Sequence, residues 1–385
     1  MTHHSRQTGP TLVDMLFSNG RRFTARKSGN ATVRILIASL LLAPGSLAAQ
    51  VPDENPLSIH GFLTQGWARA WDNPVAGIPG DAGTVDYRSV ALQFGYRLGD
   101  ADRLVLQFNH RRIGNSLLQD EHVALGWAFY ERRFGEGSVR VGKVPLPGGI
   151  FNETRNVGTA LPFFRAPLHF YLESAETLDG AVIGYRFRAQ HPWSLYAEVS
   201  GGQFDLDLAL NTPTGPVVAT IDVRSAVGAH LWLETPIAGT RIGVGASRYD
   251  ETGPTGEPLS GSRTWIVSGE SQLGRLTARA EIQQARSDAY VFDAEYAQLG
   301  FLIAPTVSLN LQTEYSKVTV PTPVGDLDIV FAHDHALGIA WMVLPNAVLK
   351  IEGHRFKGFS VDTYYPVNMP LPKARYMIAS ISVGF

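Results

Sequence analysis

Apolar and polar side chains alternate along most of this chain with a period of two, not with the three-to-four spacing of a helix. Across residues 89–98, Val90, Leu92, Phe94, Tyr96 and Leu98 alternate with Ser89, Ala91, Gln93, Gly95 and Arg97. Across 123–130, Val123, Leu125, Trp127 and Phe129 oppose Ala124, Gly126, Ala128 and Tyr130. Residues 180–188 and 275–283 repeat the scheme, with Ile183, Tyr185 and Phe187 on one apolar face and Leu276, Ala278, Ala280 and Ile282 on the other. Successive side chains of a strand point to opposite sides, so each stretch predicts a strand with one apolar and one polar or small face. The same reading places strands near 57–71, 86–98, 103–113, 121–134, 138–146, 178–189, 192–201, 223–235, 240–249, 263–273, 275–286, 290–303, 306–319, 327–343, 347–357 and 374–385, about sixteen in all.

The links between these strands alternate in length. Tight turns are predicted at Gly99-Asp100, Gly135-Glu136-Gly137, Gln190-His191, Thr235-Pro236, Gly274, Ala304-Pro305 and Pro345-Asn346, with longer links at 72–85, 147–177, 202–222, 250–262 and 358–373. The link at 287–289 breaks the alternation. Short turns on one side and longer loops on the other are the signature of a membrane β-barrel, and an even strand count fits closure. A soluble β-sandwich also alternates, but it has no need of a last strand that ends on an aromatic.

Residues 1–34 carry Arg21, Arg22, Arg26, Lys27 and Arg34 and are followed by the apolar run 35–43, which reads as a signal peptide over 1–49. Met15 is an alternative start, and a barrel domain is expected over 50–385 with no linker inside it. Arg21-Arg22-Phe23 lacks the rest of a twin-arginine signal. Of 33 basic and 35 acidic residues, the leader removes six bases and one acid, which leaves 27 against 34, net −7. That balance argues against nucleic acid as a partner. With no cysteine in the chain, disulfides, thiolate metal sites and cysteine nucleophiles are excluded. After the leader no apolar run reaches the roughly 18 residues of a membrane helix.

The last nine residues, 377–385, put Met377, Ala379, Ile381, Val383 and Phe385 on one face. This ending resembles that of bacterial outer-membrane porins, and the resemblance implies that Phe385 is an assembly signal read by the barrel-insertion machinery. Val141-Gly142-Lys143-Val144-Pro145-Leu146-Pro147, followed by Phe151-Asn152-Glu153-Thr154-Arg155, resembles a stretch of porins related to the phosphate-selective group and its uncharacterised relatives. Ile59-His60-Gly61-Phe62-Leu63-Thr64-Gln65-Gly66-Trp67 is similar to their first strand. The resemblance implies an all-β fold: a transmembrane antiparallel β-barrel with a long third external loop folded into the lumen. It further implies a homotrimer surrounded by outer-membrane lipid and lipopolysaccharide. Phosphate-selective porins are associated with basic ladders in the pore, and no comparable lysine array can be assembled from this sequence.

The link 147–177 is too long to be an idle connector. Its Phe163, Phe164, Phe170 and Tyr171 suit packing against the wall, and Glu153, Arg155, Arg165, Glu173 and Glu176 are the candidate charges of a pore constriction. Mixed charge across a narrow opening selects solutes by size and sign, although Glu153 and Arg155 are equally suited to pinning the loop. Arg97, Arg186, Arg279, Glu281, Lys350 and Glu352 fall on the polar parity of their strands and are candidate lumen-wall charges.

Two constellations bear on catalysis and metal binding. Asn109-His110 and Ser116 loosely resemble the His and Ser of an outer-membrane phospholipase, but the spacing within one strand is missing and Arg111 and Arg112 intervene. His333 and His335 share a face with Ile329, Phe331, Leu337, Ile339 and Trp341, which directs them to lipid or a neighbouring subunit; no third ligand is identifiable. The expected function is therefore a non-enzymatic, porin-like outer-membrane channel for passive diffusion of small hydrophilic solutes or ions, without cofactor or metal. The alternatives are a closed or narrow barrel acting as a receptor or structural protein, and a barrel lipid hydrolase.

Overall fold

The computed structural model describes residues 55–118, 122–172, 175–187, 192–212, 215–253, 256, 258–365 and 369–385. The expected leader at 1–49, Glu173 and the turn at Gln190-His191 lie outside the described residues.

Sixteen strands follow one another: β1 (Leu57–Asp72), β2 (Gly83–Arg97), β3 (Asp102–Ile113), β4 (Ala124–Phe134), β5 (Gly137–Pro145), β6 (Thr177–Phe187), β7 (Ser194–Thr212), β8 (Gly215–Glu234), β9 (Arg241–Thr252), β10 (Pro258–Leu273), β11 (Leu276–Arg286), β12 (Val291–Ala304), β13 (Val307–Thr322), β14 (Gly325–Leu344), β15 (Ala347–Lys357) and β16 (Lys373–Gly384). Each pairs antiparallel with its sequence neighbours, and β1 pairs with β16 from Phe62 opposite Gly384 to Asp72 opposite Ala374. The sheet is closed, so no backbone edge is left unpaired. At the seam, Gly61 and Phe385 exchange backbone hydrogen bonds of 3.0 Å in both directions. A Cβ on Gly61 would stand 2.2 Å from the far edge of the Phe385 ring, so the glycine gives the ring the place it occupies.

The barrel is apolar outside and polar inside. On β14, Leu337, Ile339 and Trp341 are 52%, 48% and 50% exposed outward, while Asp334, Ala336 and Ala340 are buried on the inner face. On β13 the buried inward positions are Asn310, Gln312, Glu314 and Ser316. The short connections lie at the end of the barrel where β1 begins and β16 ends, and the long ones, 73–82, 114–123, 146–176 and 358–372, at the other.

Three expectations are corrected. The 202–222 link is instead the upper part of a strand hairpin, in which β7 and β8 stay paired from Phe204 opposite Val223 to Thr212 opposite Gly215. Its Phe204, Leu206 and Leu208 turn inward onto a cluster that includes Val144, Leu178, Ile221 and Val223. Links at the long-loop end are not uniformly long: 323–324 is as short as the turns opposite, as is 287–290, where the sequence already broke the alternation. In β4, a register shift between Gln107 and Phe108 of β3 leaves Gly126 unpaired. Such a bulge reverses side-chain parity, so Trp127 and Phe129 pack with the inner cluster of Val105 and Val144 and do not share a face with Leu125.

Candidate functional site: a loop fastened to the inner wall

Between β5 and β6 the chain makes its longest excursion, 146–176, and many partners of that segment are inner-face side chains of β1–β3 and β11–β16. Three carboxylates on alternate strands receive its backbone amides. Glu281 of β11 accepts from the Ile150 N–H at 3.0 Å, Glu314 of β13 from the His169 N–H and, at 3.2 Å, from the Phe170 N–H, and Glu352 of β15 from the Phe164 N–H at 2.7 Å. Lys350, one inward step from Glu352, donates to the carbonyls of Gly158 at 2.6 Å and Phe163 at 2.7 Å. Hydrogen bonds to an ionised partner are the strong ones, roughly 1.5–3 kcal/mol each.

Period-two strands explain how these groups come together. Positions i and i+2 of one strand share a face, so Lys350 and Glu352 stand side by side, and alternate strands repeat the arrangement around the wall. Gly158 shows how close the approach is: a Cβ there would lie 2.0 Å from the Thr64 hydroxyl of β1 and 2.7 Å from that of Ser382 in β16. Phe164 packs on Tyr87 of β2 with ring centroids 4.7 Å apart, and Phe170 and Tyr171 pack on Tyr296 of β12.

Each anchor has support behind it. Glu281 also accepts from the hydroxyls of Ser268, Tyr171 and Tyr296, and Tyr171 in turn accepts from the Phe151 N–H at 2.9 Å. Burial and then the Glu281 charge push the Tyr171 phenol well above its usual range, so it remains a donor. Glu352 is braced by His354, which bridges it at 3.3 Å to Asp334 at 2.8 Å and stacks on Tyr376 at 4.1 Å. Burial pushes the Glu176 carboxyl up, but Arg111 and Arg155 more than offset this and hold it below its usual range.

The expected constriction residues divide between these roles. Arg155 has a side chain only 7% exposed and ties the loop to itself through the carbonyls of Leu172 at 3.0 Å and Ala175 at 3.1 Å. Arg165 lies 3.4 Å from Asp362 in the 358–372 loop, and Glu176 pairs with Arg111 at 2.6 Å. Glu153 differs: its side chain is 58% exposed, and it pairs at 2.7 Å with Arg140 of β5. Of the expected wall charges, Glu281, Lys350 and Glu352 are engaged by the loop. Arg279 and Arg241 flank Glu270 at 3.1 Å and 2.6 Å on β9–β11, and Arg186 pairs with Glu234 at 2.6 Å. Arg97 lies exposed at a strand end. Below residues 159–163 of the loop, a cavity of about 240 Å³ is lined by Gln272, Arg279, Gln298 and Asn310.

The structure adds Glu314, Arg140, Arg111, Asp334 and His354, which sequence reading passed over. Their only signal is polar parity on a strand, as for Glu314 between Gln312 and Ser316, because a loop amide leaves no mark in the sequence of its acceptor. Of the suggested His and Ser, His110 takes a hydrogen bond from Arg88 at 3.3 Å, while Ser116 lies in the link after β3, where its hydroxyl accepts from the Leu118 N–H at 3.3 Å. His333 and His335 stand exposed on the outer face, rings 4.8 Å apart, and among the described residues no group of three or more His, Asp or Glu is placed to hold a metal.

No protein-family model matches the chain, and no curated protein does. Solved structures do match. Salmonella typhi OmpF in complex with daunomycin superposes with a TM-score of 0.59 at 12% identity, over 86% of this chain and 98% of that one. The fold is a porin-type barrel. The anion-selective porin of Comamonas acidovorans gives 0.55 at 10% identity, over 86% and 99%. The trimer form of in-vitro folded OmpT, an outer membrane protein of Vibrio cholerae, gives 0.54 at 11% identity, over 86% and 99%.

Proposed function

We propose that the protein is an outer-membrane channel through which small hydrophilic solutes or ions diffuse passively, with the 146–176 segment folded inside the barrel to set its bore. The observation that carries this reading is the fastening of one loop, by backbone amides and carbonyls, to the inner faces of β11, β13 and β15. A barrel of about sixteen strands is wide enough for an aqueous lumen, and a segment held across it narrows that lumen. The outward apolar side chains support a lipid setting, since a soluble protein rarely exposes a continuous apolar belt of this size. Assembly as a homotrimer in the manner of the porin structures, export by the 1–49 leader and insertion signalled by Phe385 belong to the same reading.

Glu153 with Arg140, and the Arg241–Glu270–Arg279 group, are the charges we assign to the solute path: the Glu153 side chain is 58% exposed, and those of Arg241, Glu270 and Arg279 are 35%, 21% and 24% exposed and pair with one another. Arg155, Arg165 and Glu176 are assigned to holding the loop. The test is single-channel recording of refolded protein in planar bilayers under a KCl gradient. Stepwise openings with a measurable reversal potential support the channel. Correctly folded, heat-modifiable protein that never conducts would sink it and favour a plugged barrel acting as a receptor or structural protein.

A further inference from the structure

On the outer face of β14, β15 and β16, toward the long-loop end, six basic side chains form two rows across three strands. The register sets His335 opposite Arg355 and Arg355 opposite Arg375; one step further along, His333 lies opposite Lys357 and Lys357 opposite Lys373. All six are exposed. Directly opposed residues in a sheet have Cβ atoms about 4.5–5.5 Å apart, and like charges at that distance destabilise the pair. Two such pairs, Arg355–Arg375 and Lys357–Lys373, therefore sit side by side. Among the described residues, the side chains of Arg355, Lys357 and Lys373 make no hydrogen bond or ion pair, and the one carboxylate on the array is Asp72, 3.3 Å from Arg375. His335 meets the Thr313 hydroxyl at 3.1 Å, and His333 packs on Tyr315.

Immediately toward the short-turn end, the same three outer faces become apolar, with Leu337, Ile339 and Trp341 on β14, Leu349 and Ile351 on β15 and Ile381 on β16. Arg375 lies ten residues from the terminal Phe385. That is about 33 Å along a strand, or about 25 Å along the axis of a barrel whose strands tilt by roughly 40°, which equals the height of a barrel's apolar band. The two basic rows thus stand at the upper edge of the lipid belt, at headgroup level, and carry positive charge of which the protein itself offsets only that of Arg375, through Asp72.

We propose that this face of β14–β16 binds the phosphate groups of an anionic glycolipid of the outer leaflet, whose acyl chains lie on the apolar belt below. The inference rests on the outer-membrane reading above. Arg355 and Arg375 suit two-pronged contacts to phosphate oxygens, and Lys357 and Lys373 supply point charges beside them. A second copy of the chain is the weaker occupant, since the same rows on a neighbour would repel.

The experiment uses the full refolded barrel in a non-ionic detergent, titrated with bisphosphorylated lipid A, dephosphorylated lipid A and inorganic phosphate, with native mass spectrometry as the readout. The comparison is a variant carrying R355Q, K357Q, K373Q and R375Q. Wild type should retain the bisphosphorylated lipid at least about tenfold more tightly than the variant does, and the gap should shrink as salt rises from 0.1 M to 1 M. Equal retention of the dephosphorylated lipid, equal binding by the variant, or competition by inorganic phosphate at the lipid's own concentration would each overturn the proposal. A variant that binds lipid normally but changes oligomeric state would reassign the face to contact between copies. Heat-modifiable migration reports whether the variant folds. Single-channel conductance, read in parallel, separates a failed lipid site from a failed channel, because these residues lie outside the barrel and leave the solute path unchanged.

Discussion

Glu281→Ala is the sharpest test of the fastened loop. Glu281 is 1% exposed and serves four donors: the Ile150 amide and the hydroxyls of Ser268, Tyr171 and Tyr296. Two of these, the Ile150 amide and the Tyr171 hydroxyl, belong to the loop. Their bonds to a carboxylate are worth roughly 1.5–3 kcal/mol each, so their removal weakens this end of the loop by about 3–6 kcal/mol. At about 1.4 kcal/mol per tenfold, the population with the loop released from this anchor at Ile150 and Tyr171 should rise at least a hundredfold. The barrel itself should survive, because the β10–β11 and β11–β12 ladders do not run through this side chain. The assay pairs single-channel recording with limited proteolysis of folded protein. The variant should flicker between the wild-type level and larger openings, and it should be cut within the loop, whereas Glu281→Gln, which keeps an acceptor oxygen, should lie between. Wild-type noise and full protease resistance in Glu281→Ala, with heat-modifiability retained, would refute the argument.

The remaining expectations concern other parts of the same machinery. Glu153→Gln should shift the reversal potential toward anions at 0.1 M KCl and much less at 1 M, where the screening length falls from about 10 Å to about 3 Å; an unchanged potential at low salt would remove Glu153 from the solute path. Because Glu176 is depressed in the folded state, its hold on Arg111 and Arg155 is complete above the unfolded carboxylate value of about 4.3 and is lost as pH falls below that through the folded value. Loop noise measured from pH 7 to 3 should therefore begin only under acid, and onset near neutrality would point to a different group. Lys350→Met leaves the Gly158 and Phe163 carbonyls without their donor and should raise conductance fluctuations without altering the folded fraction; a silent variant would show that Glu352 alone holds this part of the loop. Gly61→Leu should turn the exposed Phe385 ring out of its place and leave the heat-modifiable species intact, because only the tip of that ring stands in the way; loss of that species would show that closure depends on where the ring lies.

Strand number and order were legible because alternation is written directly into the residues, and the final strand, with Met377 through Phe385, carried it most clearly. Position 126 shows the limit. A single unpaired glycine reverses every side chain after it, and the sequence 123–130 reads as a perfect ladder on either parity. The 202–222 stretch failed for a related reason: glycine and aspartate there suggested a link, although Phe204, Leu206 and Leu208 alternate with Asp205 and Asp207 as a strand should. For the site, the loop could be picked out by length, and Glu281, Lys350 and Glu352 by parity. What each holds could not be read, since the partner is a peptide group some hundred or more residues away. Arg155 and Arg165 looked like pore charges because charge is visible in a sequence and burial is not.

The three carboxylates grip the loop by its amides, and an amide is the same on every residue but proline. That part of the hold is therefore indifferent to which side chain stands at each amide, whereas the packing of Phe164, Phe170 and Tyr171 on the wall and the close approach at Gly158 are not. Positions such as Glu153, which project from the fastened backbone, can be exchanged for another charge, a hydroxyl or an aromatic without disturbing the fastening, provided that Ile150, Phe164, His169 and Phe170 keep their N–H groups. On the proposed channel reading, a descendant or an engineer could thus rewrite the selectivity one exposed loop residue at a time while the wall and its anchors stay as they are.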